Sequence, residues 1–402
     1  MSLHIYSNKI WSFWFRHKIR NQHTCDVGPV TVVKNGVISN EYSHGYGVFD
    51  ADCNFVKASV HNRGRGFQLI PKKFDKQNIP YVDKDVIFLG AILSHFGDFL
   101  VNNLVRAYYL LNSKYRDYDI VFVNNKDIDP IPEYVYVFLE LLKVSRKRVI
   151  ILNKTTRFKN VYIPAQGWCF PFNTSEQCAK TFDTMAKNVR ETKTKKYDKI
   201  YLSRDALKIR RTYGEKYVSD VFRKNGFKII YPETLPLEKQ IDLAHHCNVL
   251  AGCAGTALHL ALFMKPGGTV IQIKRNSRIK DNSSMQYLIN KTKKLNSVFI
   301  SGSIEKSSSI HCTHMPQIIG VNKYMRRFFD ENGFVYDKNM PSIDKQTWDE
   351  YYADLTSYIS CHSSGIIDVI KRKFVKISAC FVPGRERRAR YRKKIKSLLN
   401  VE

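Results

Sequence analysis

Four side chains in one short stretch carry the means of moving a proton: His95, Asp98, Asn102 and Arg106, spaced 3, 4 and 4 residues apart. At roughly 100° per residue they fall within about an 80° arc of one helix face. Phe96, Leu100, Leu104, Ala107 and Leu111 take the opposite side. An ordinary outer face favours Lys and Glu, and this one has neither until Lys114. A carboxylate near His and Arg, just past a strand end, is a reasonable general base. The same spacing also suits the solvated face of an amphipathic helix.

A second group is Tyr201-Leu202-Ser203-Arg204 followed by Lys208, Arg210, Arg211 and Glu215. A strand ends at Ser203 and four cations come after it. Arg and Lys clamps can neutralise the charge growing on a diphosphate leaving group without a metal; a basic surface loop has the same composition. A third group is Ala251-Gly252-Cys253-Ala254-Gly255-Thr256-Ala257-Leu258-His259, which joins an apolar strand to an apolar helix. Small residues there let the backbone approach a ligand, and the first helical amides suit a phosphate. A tight turn needed only for packing, with His259 a satisfied core histidine, reads equally from these residues. No G-x-x-x-x-G-K-[ST] loop is present. The pairs Asp50/Asp52, Asp83/Asp85 and Asp127/Asp129 lie at no strand end beside these groups, and no metal or other cofactor is expected.

Sixty-five Lys and Arg against 36 Asp and Glu leave a net charge of +29 over 402 residues. Such a balance implies an anionic partner: nucleic acid, a membrane surface or a phosphate-bearing substrate. The 44% hydrophobic and 13% aromatic content is enough for real cores and excludes a disordered chain. Nine cysteines without C-x-x-C pairs or zinc spacing fit reduced thiols in a cytosol. No apolar run is long enough to span a bilayer, and charges and Trp near the start argue against export. Between Lys371 and Lys396 lie twelve Lys or Arg and one acid, interleaved with Phe374, Val375, Ile377, Phe381 and Tyr391. A helix of this kind lies on an anionic membrane surface. Its candidate contacts are Lys371, Arg372, Lys373, Arg385, Arg387, Arg388, Arg390, Arg392, Lys393 and Lys394. The apolar interleaving, with no nucleic-acid fold signature, points to membrane and to no nucleic-acid partner.

Two alternating series of apolar strands and helices must position these groups. One runs from VIFLGAIL at 86 through DIVFVNN, RVIILN and VYIP to a helix over 174–192; short strands over 29–60 precede it. The other starts at Lys199 with KIYLS and continues through FKIIY, NVLAG and TVIQI, with helices from about 214, 236 and 256. Buried strands alternating with helices predict α/β architecture with parallel sheets, and ligands then bind beyond the carboxyl ends of the strands. Residues 1–195 read as a Rossmann-like domain with a leading β segment. Residues 196–345 read as a second one facing it across a cleft, and 346–402 as C-terminal helices with the basic tail.

Taken together, KIYLSRDALKIRRTYGE, the stretch GFKIIYPETLPLEKQIDLAHHCNVLAGCAGTALHLALFMKPGGTVIQI, the helix segment SHFGDFLVNNLVRAYYLL and the segment GVFDADCNFVKAS resemble glycosyltransferase family 61 over about residues 45–275. The resemblance implies a GT-B fold, a nucleotide-sugar donor (UDP-linked in this reading) and inversion at the anomeric carbon without a metal. It puts Arg204, Arg210 and Arg211, with Lys208 beside them, on the donor diphosphate. Gly252, Cys253, Ala254, Gly255 and Thr256 would lie against the nucleotide, followed by His259, with Gln272 near the ribose. Asp98 would be the base, and Asn102 and Arg106 would face the acceptor. Many members carry His where Asp98 stands, although the animal EGF-domain O-GlcNAc transferases resemble this chain with His-Phe-x-Asp-Phe. Many also carry His-Gly where this chain has Ala254-Gly255. His95 and His259 are the alternative bases. The tail resembles those of bacterial enzymes that build lipopolysaccharide or capsule, implying a lipid-linked glycan acceptor at the cytoplasmic face of the inner membrane. Two other readings compete: a polysaccharide pyruvyltransferase, which His95-Phe96-Gly97-Asp98 faintly resembles, and a non-catalytic membrane-binding protein on a degenerate transferase scaffold.

Overall fold

The computed structural model describes residues 1–41, 45–60, 78–93, 95–115, 117–124, 128–169, 172–190, 195–207, 211–278, 281, 283–304, 315–361, 388–391 and 394–395. Contacts gather the chain into two compact units whose bounds fall elsewhere than residues 195 and 345. The first is Met1–Leu202, Gly226–Ile273 and Ile279–Ile300; the second is Ser203–Asn225, Lys274–Arg278 and Ser301–Glu402.

The first unit holds the two large sheets. In chain order its elements begin with β1 (Leu3–Tyr6), α1 (Lys9–Ile19), β2 (Thr31–Lys34), β3 (Val37–Glu41), β4 (Gly45–Phe49) and β5 (Tyr81–Ala91). They continue with β6 (Asp119–Val123), α2 (Glu133–Leu141), β7 (Val149–Leu152), β8 (Thr156–Ile163) and α3 (Glu176–Asn188). One sheet has the order β4-β3-β8-β5-β6-β7, with β2 also paired to β8. Strands β8, β5, β6 and β7 run parallel, whereas β2, β3 and β4 pair antiparallel. The strands expected over 29–60 and from 86 onward are therefore present. Val86, Ile87, Phe88 and Leu89 are all fully buried, as strands covered on both faces require.

The other sheet continues with β9 (Lys199–Leu202), β10 (Lys228–Ile230), α5 (Leu237–His246), β11 (Val249–Cys253), β12 (Thr269–Lys274), α6 (Ser283–Thr292) and β13 (Asn296–Ser301); α4 (Glu215–Lys224) belongs to the second unit. Its order is β1-β13-β12-β11-β9-β10. The pairings β1–β13, β9–β10, β9–β11 and β11–β12 are parallel. Helices from both halves of the chain share one core. Phe138 of α2 stacks on Phe263 at 6.1 Å, and Phe182 of α3 meets the same ring edge-on at 5.5 Å. A single buried cluster runs from Ile87 and Phe122 to Leu250 and Val270. Burying each such side chain contributes about 1.5–3 kcal/mol.

Within the second unit, α4, α7 (Lys323–Glu331) and α8 (Lys345–Cys361) pack around aromatic contacts. Phe222 lies against Phe328, Phe329 and Phe334, and Tyr213 meets Tyr351 edge-on at 5.7 Å. Gly214 precedes α4 with φ +76°, and a Cβ there would stand 2.1 Å from the Ile319 carbonyl oxygen, so only glycine fits. The helix expected near 346–359 is α8. The one expected over 365–378, and most of the basic tail, lie outside the described residues. No described helix is long and apolar enough to cross a membrane.

The structure corrects the sequence reading at one place that matters. The helix expected from residue 95 is one α-helical turn over Phe96–Asp98, a π-helical turn over Phe99–Asn103 and a 3-10 helix over Leu104–Leu111. A π turn places fewer degrees between residues and a 3-10 turn more, so the even spacing 95, 98, 102, 106 does not carry Arg106 along the face that 95, 98 and 102 share. His95 and Asp98 are about half exposed, whereas Asn102 and Arg106 are buried.

Candidate active site

Strand β5 ends at Ala91, and His95 opens the short helix that carries Asp98. His95 Nδ1 lies 3.6 Å from Asp98 Oδ2, and Asn102 Nδ2 donates to Asp98 Oδ1 at 3.2 Å. One oxygen is thus held by an amide and the other faces an imidazole, which fixes the carboxylate while leaving it reachable. Phe96, on the other side of this turn, packs edge-on against Tyr134 at 5.5 Å. The Tyr134 hydroxyl donates to the Leu93 carbonyl at 3.3 Å. Burial first, and then the negative charge of Asp98, push that phenol up to about 12.

Gly97 brings this turn onto the glycine-containing loop. A Cβ at 97 would lie 2.3 Å from Thr256 Cγ2 and 3.1 Å from His259 Nδ1, so the close approach requires glycine. The loop leaves β11, where Gly252 sits in register between Leu202 and Gln272. A Cβ on Gly252 would stand 2.8 Å from the Leu202 carbonyl oxygen. Cys253 Sγ lies 3.8 Å from the Tyr201 hydroxyl, and the Ala254 amide donates to Ile273 O at 2.8 Å. Past Gly255 the chain enters the helix expected from about 256, which is a 3-10 helix over Thr256–Phe263.

His259 is neither a ligand in the open nor a satisfied core histidine. Its Nδ1 is buried and has no hydrogen-bond partner among the described residues. Burial lowers its pKa to about 4; the Asp98 charge pulls the other way and that of His95 adds to the lowering. The imidazole is therefore neutral at pH 7, beside a carboxylate.

The other expected residues that the structure describes are held by contacts of their own. Arg106 is buried, donating to the Ala58 and Val60 carbonyls at 3.2 and 2.9 Å, and burial lowers its pKa to about 10. Gln272 is buried and donates to Ser283 Oγ at 3.1 Å. In the second unit the Arg204 amide donates to Glu215 Oε1 at 3.1 Å. The Nε of its guanidinium has no partner among the described residues. Arg211 lies 4.6 Å over the Tyr213 ring and donates to its hydroxyl at 3.2 Å. Lys208 and Arg210 lie outside the described residues, as do seven of the ten candidate membrane contacts; Arg388, Arg390 and Lys394 are exposed. Sequence reasoning passed over Tyr134 and the contact between Gly97 and Thr256, because neither distance leaves a mark in local spacing.

A carboxylate–histidine pair lies past the end of a parallel strand and is seated on a small-residue loop past the end of another, the position at which open α/β sheets bind ligands. The turn of Gly97 and Asp98 lies near the start, and β12 near the end, of the stretch 96–271, which matches the family model Glycosyltransferase 61. The match to glycosyltransferase family 61 covers those residues, somewhat under half of the chain. No curated protein matches the chain. Among solved structures it is similar to the dodecameric iron-containing heptosyltransferase TibC in complex with ADP-D-beta-D-heptose. The identity is 9% and the TM-score 0.25, over 85% of this chain and 98% of that one. It is also similar to the iron-containing dodecameric glycosyltransferase TibC from enterotoxigenic E. coli, at 10% identity and TM-score 0.28 over 86% and 98%. At those scores neither likeness bears on fold, assembly or metal in this protein.

Proposed function

We propose that this glycosyltransferase inverts the configuration of a sugar taken from a UDP-linked donor, on a GT-B scaffold of two Rossmann-like domains, and adds it to a lipid-linked glycan of a bacterial surface polysaccharide. The observation that carries the reading is the Asp98 carboxylate, held by Asn102 and paired with His95, one residue from a glycine packed on Thr256. Asp98 takes the proton of the acceptor hydroxyl as that oxygen attacks the anomeric carbon, and His95 steadies the carboxylate. His259, neutral and with its Nδ1 covered, stands beside Asp98. Arg204 and Arg211 meet the charge that develops on the leaving diphosphate, so the reaction runs without a metal. The basic tail over 371–396 holds the enzyme at the cytoplasmic face of the inner membrane.

Thermal unfolding with a panel of nucleotides and nucleotide sugars tests the donor class. A ligand at a hundred times its Kd adds about 2.7 kcal/mol, so UDP and UDP-sugars raise the melting temperature and phosphoenolpyruvate does not. A shift with phosphoenolpyruvate alone, or with none of them, contradicts the reading.

A further inference from the structure

Helix α1 is apolar on two sides. Trp11, Phe15 and Ile19 are buried, with Trp11 stacked on Phe15 at 4.8 Å and Phe15 against Phe299 at 4.8 Å. On the outward side Phe13 is 77% exposed and Ile10 is 68% exposed, with the Trp14 ring half-buried beside them. At about 100° per residue the outward arc spans about 160°. Phe13 stands near its centre, Ile10 and Trp14 on one flank, and Lys9, Arg16 and Arg20 on the other. All three cations are exposed. Residues 1–25 contain four Lys or Arg and no Asp or Glu. Asp281, which accepts from Trp11 Nε1 at 3.2 Å, lies on the inward side.

A single exposed apolar side chain needs no account. An exposed Phe and Ile bordered by cations, on a helix whose other face is already packed, combine two demands that one surface meets: anionic headgroups for the cations and an acyl boundary for the apolar groups. We propose that α1 lies flat on an anionic lipid bilayer, inserting Phe13 and Ile10 below the headgroups that pair with Lys9, Arg16 and Arg20. This site is built into the first unit from residues other than those of the tail over 371–396, and stands whether or not the transferase reading does.

The test uses the full chain and vesicles of phosphatidylcholine with or without about one-third phosphatidylglycerol. Ile10→Ser with Phe13→Ser is expected to lower partitioning onto the anionic vesicles at least about tenfold. Lys9→Glu with Arg16→Glu lowers it by at least about fivefold for each basic group lost. Melting temperatures stay unchanged, because all four side chains are exposed. In Phe13→Trp, brominated lipid quenches the added fluorescence on anionic vesicles. Unchanged partitioning of the Ser variant overturns the proposal, since the tail then carries all binding. Added fluorescence that stays unquenched in the vesicle-bound Phe13→Trp variant overturns it too. If the Ser variant instead converts a dimer to a monomer without altering vesicle binding, the face joins copies of the chain and the proposal falls.

Discussion

Gly97 and Thr256 are in direct contact: a Cβ added to Gly97 would lie 2.3 Å from Thr256 Cγ2 and 2.9 Å from Thr256 Cβ. The residue next to the proposed base is therefore seated on the first residue of the 256–263 helix, and no side chain fits between them. Gly97→Ala should cost about 1–3 kcal/mol by overpacking and lower kcat by displacing Asp98. Thr256→Ser removes the nearest atom and should recover part of both losses in the double variant. Melting temperatures and kcat for the two single variants and the pair check this; strictly additive losses contradict the contact.

The half-buried imidazole of His259, its Nδ1 covered, sets a pH dependence. Its folded pKa, about 4, is below the unfolded value of about 6.5. The unfolded chain thus binds the extra proton first as pH falls. The stability associated with the neutral ring is complete above pH 6.5 and is lost as pH drops toward 4, a change on the order of 2–3 kcal/mol. His259→Gln should flatten the denaturation midpoint between pH 7 and 4. A profile with the wild-type slope contradicts the assignment.

Arg106 acts on the fold rather than on the acceptor. It is buried and bonded to the carbonyls of residues 58 and 60, so Arg106→Ala should cost about 2–4 kcal/mol from lost packing and two orphaned acceptors. Acceptor KM should be unchanged in whatever remains folded at low temperature. A raised KM with wild-type stability would return Arg106 to the acceptor site.

Much of this architecture is legible in the sequence, for physical reasons. Residues 86–89, 120–123, 200–202, 250–252 and 270–273, the centres of the runs VIFLGAIL, DIVFVNN, KIYLS, NVLAG and TVIQI, are buried, and continuous apolar composition is what strands covered on both faces require. The adjacency of His95 and Asp98 survives because it needs only one turn. Asn102 stays within hydrogen-bond reach of Asp98, but Arg106 does not stay on their face, because the π and 3-10 turns rotate later side chains about the axis. Strand β1 is invisible locally, since its partner β13 is almost three hundred residues away. Helix α1 carries apolar side chains on two faces and gives no clean amphipathic signal. The contact of Gly97 with Thr256 joins the two alternating series, and no local pattern encodes it.

The most direct test of the account is steady-state transfer by Asp98→Asn, a change that keeps shape and the bond from Asn102 but removes the proton acceptor. The account predicts kcat lower by about 10²–10⁴, with unchanged melting temperature and unchanged donor affinity. Turnover at the wild-type rate in that variant would contradict it.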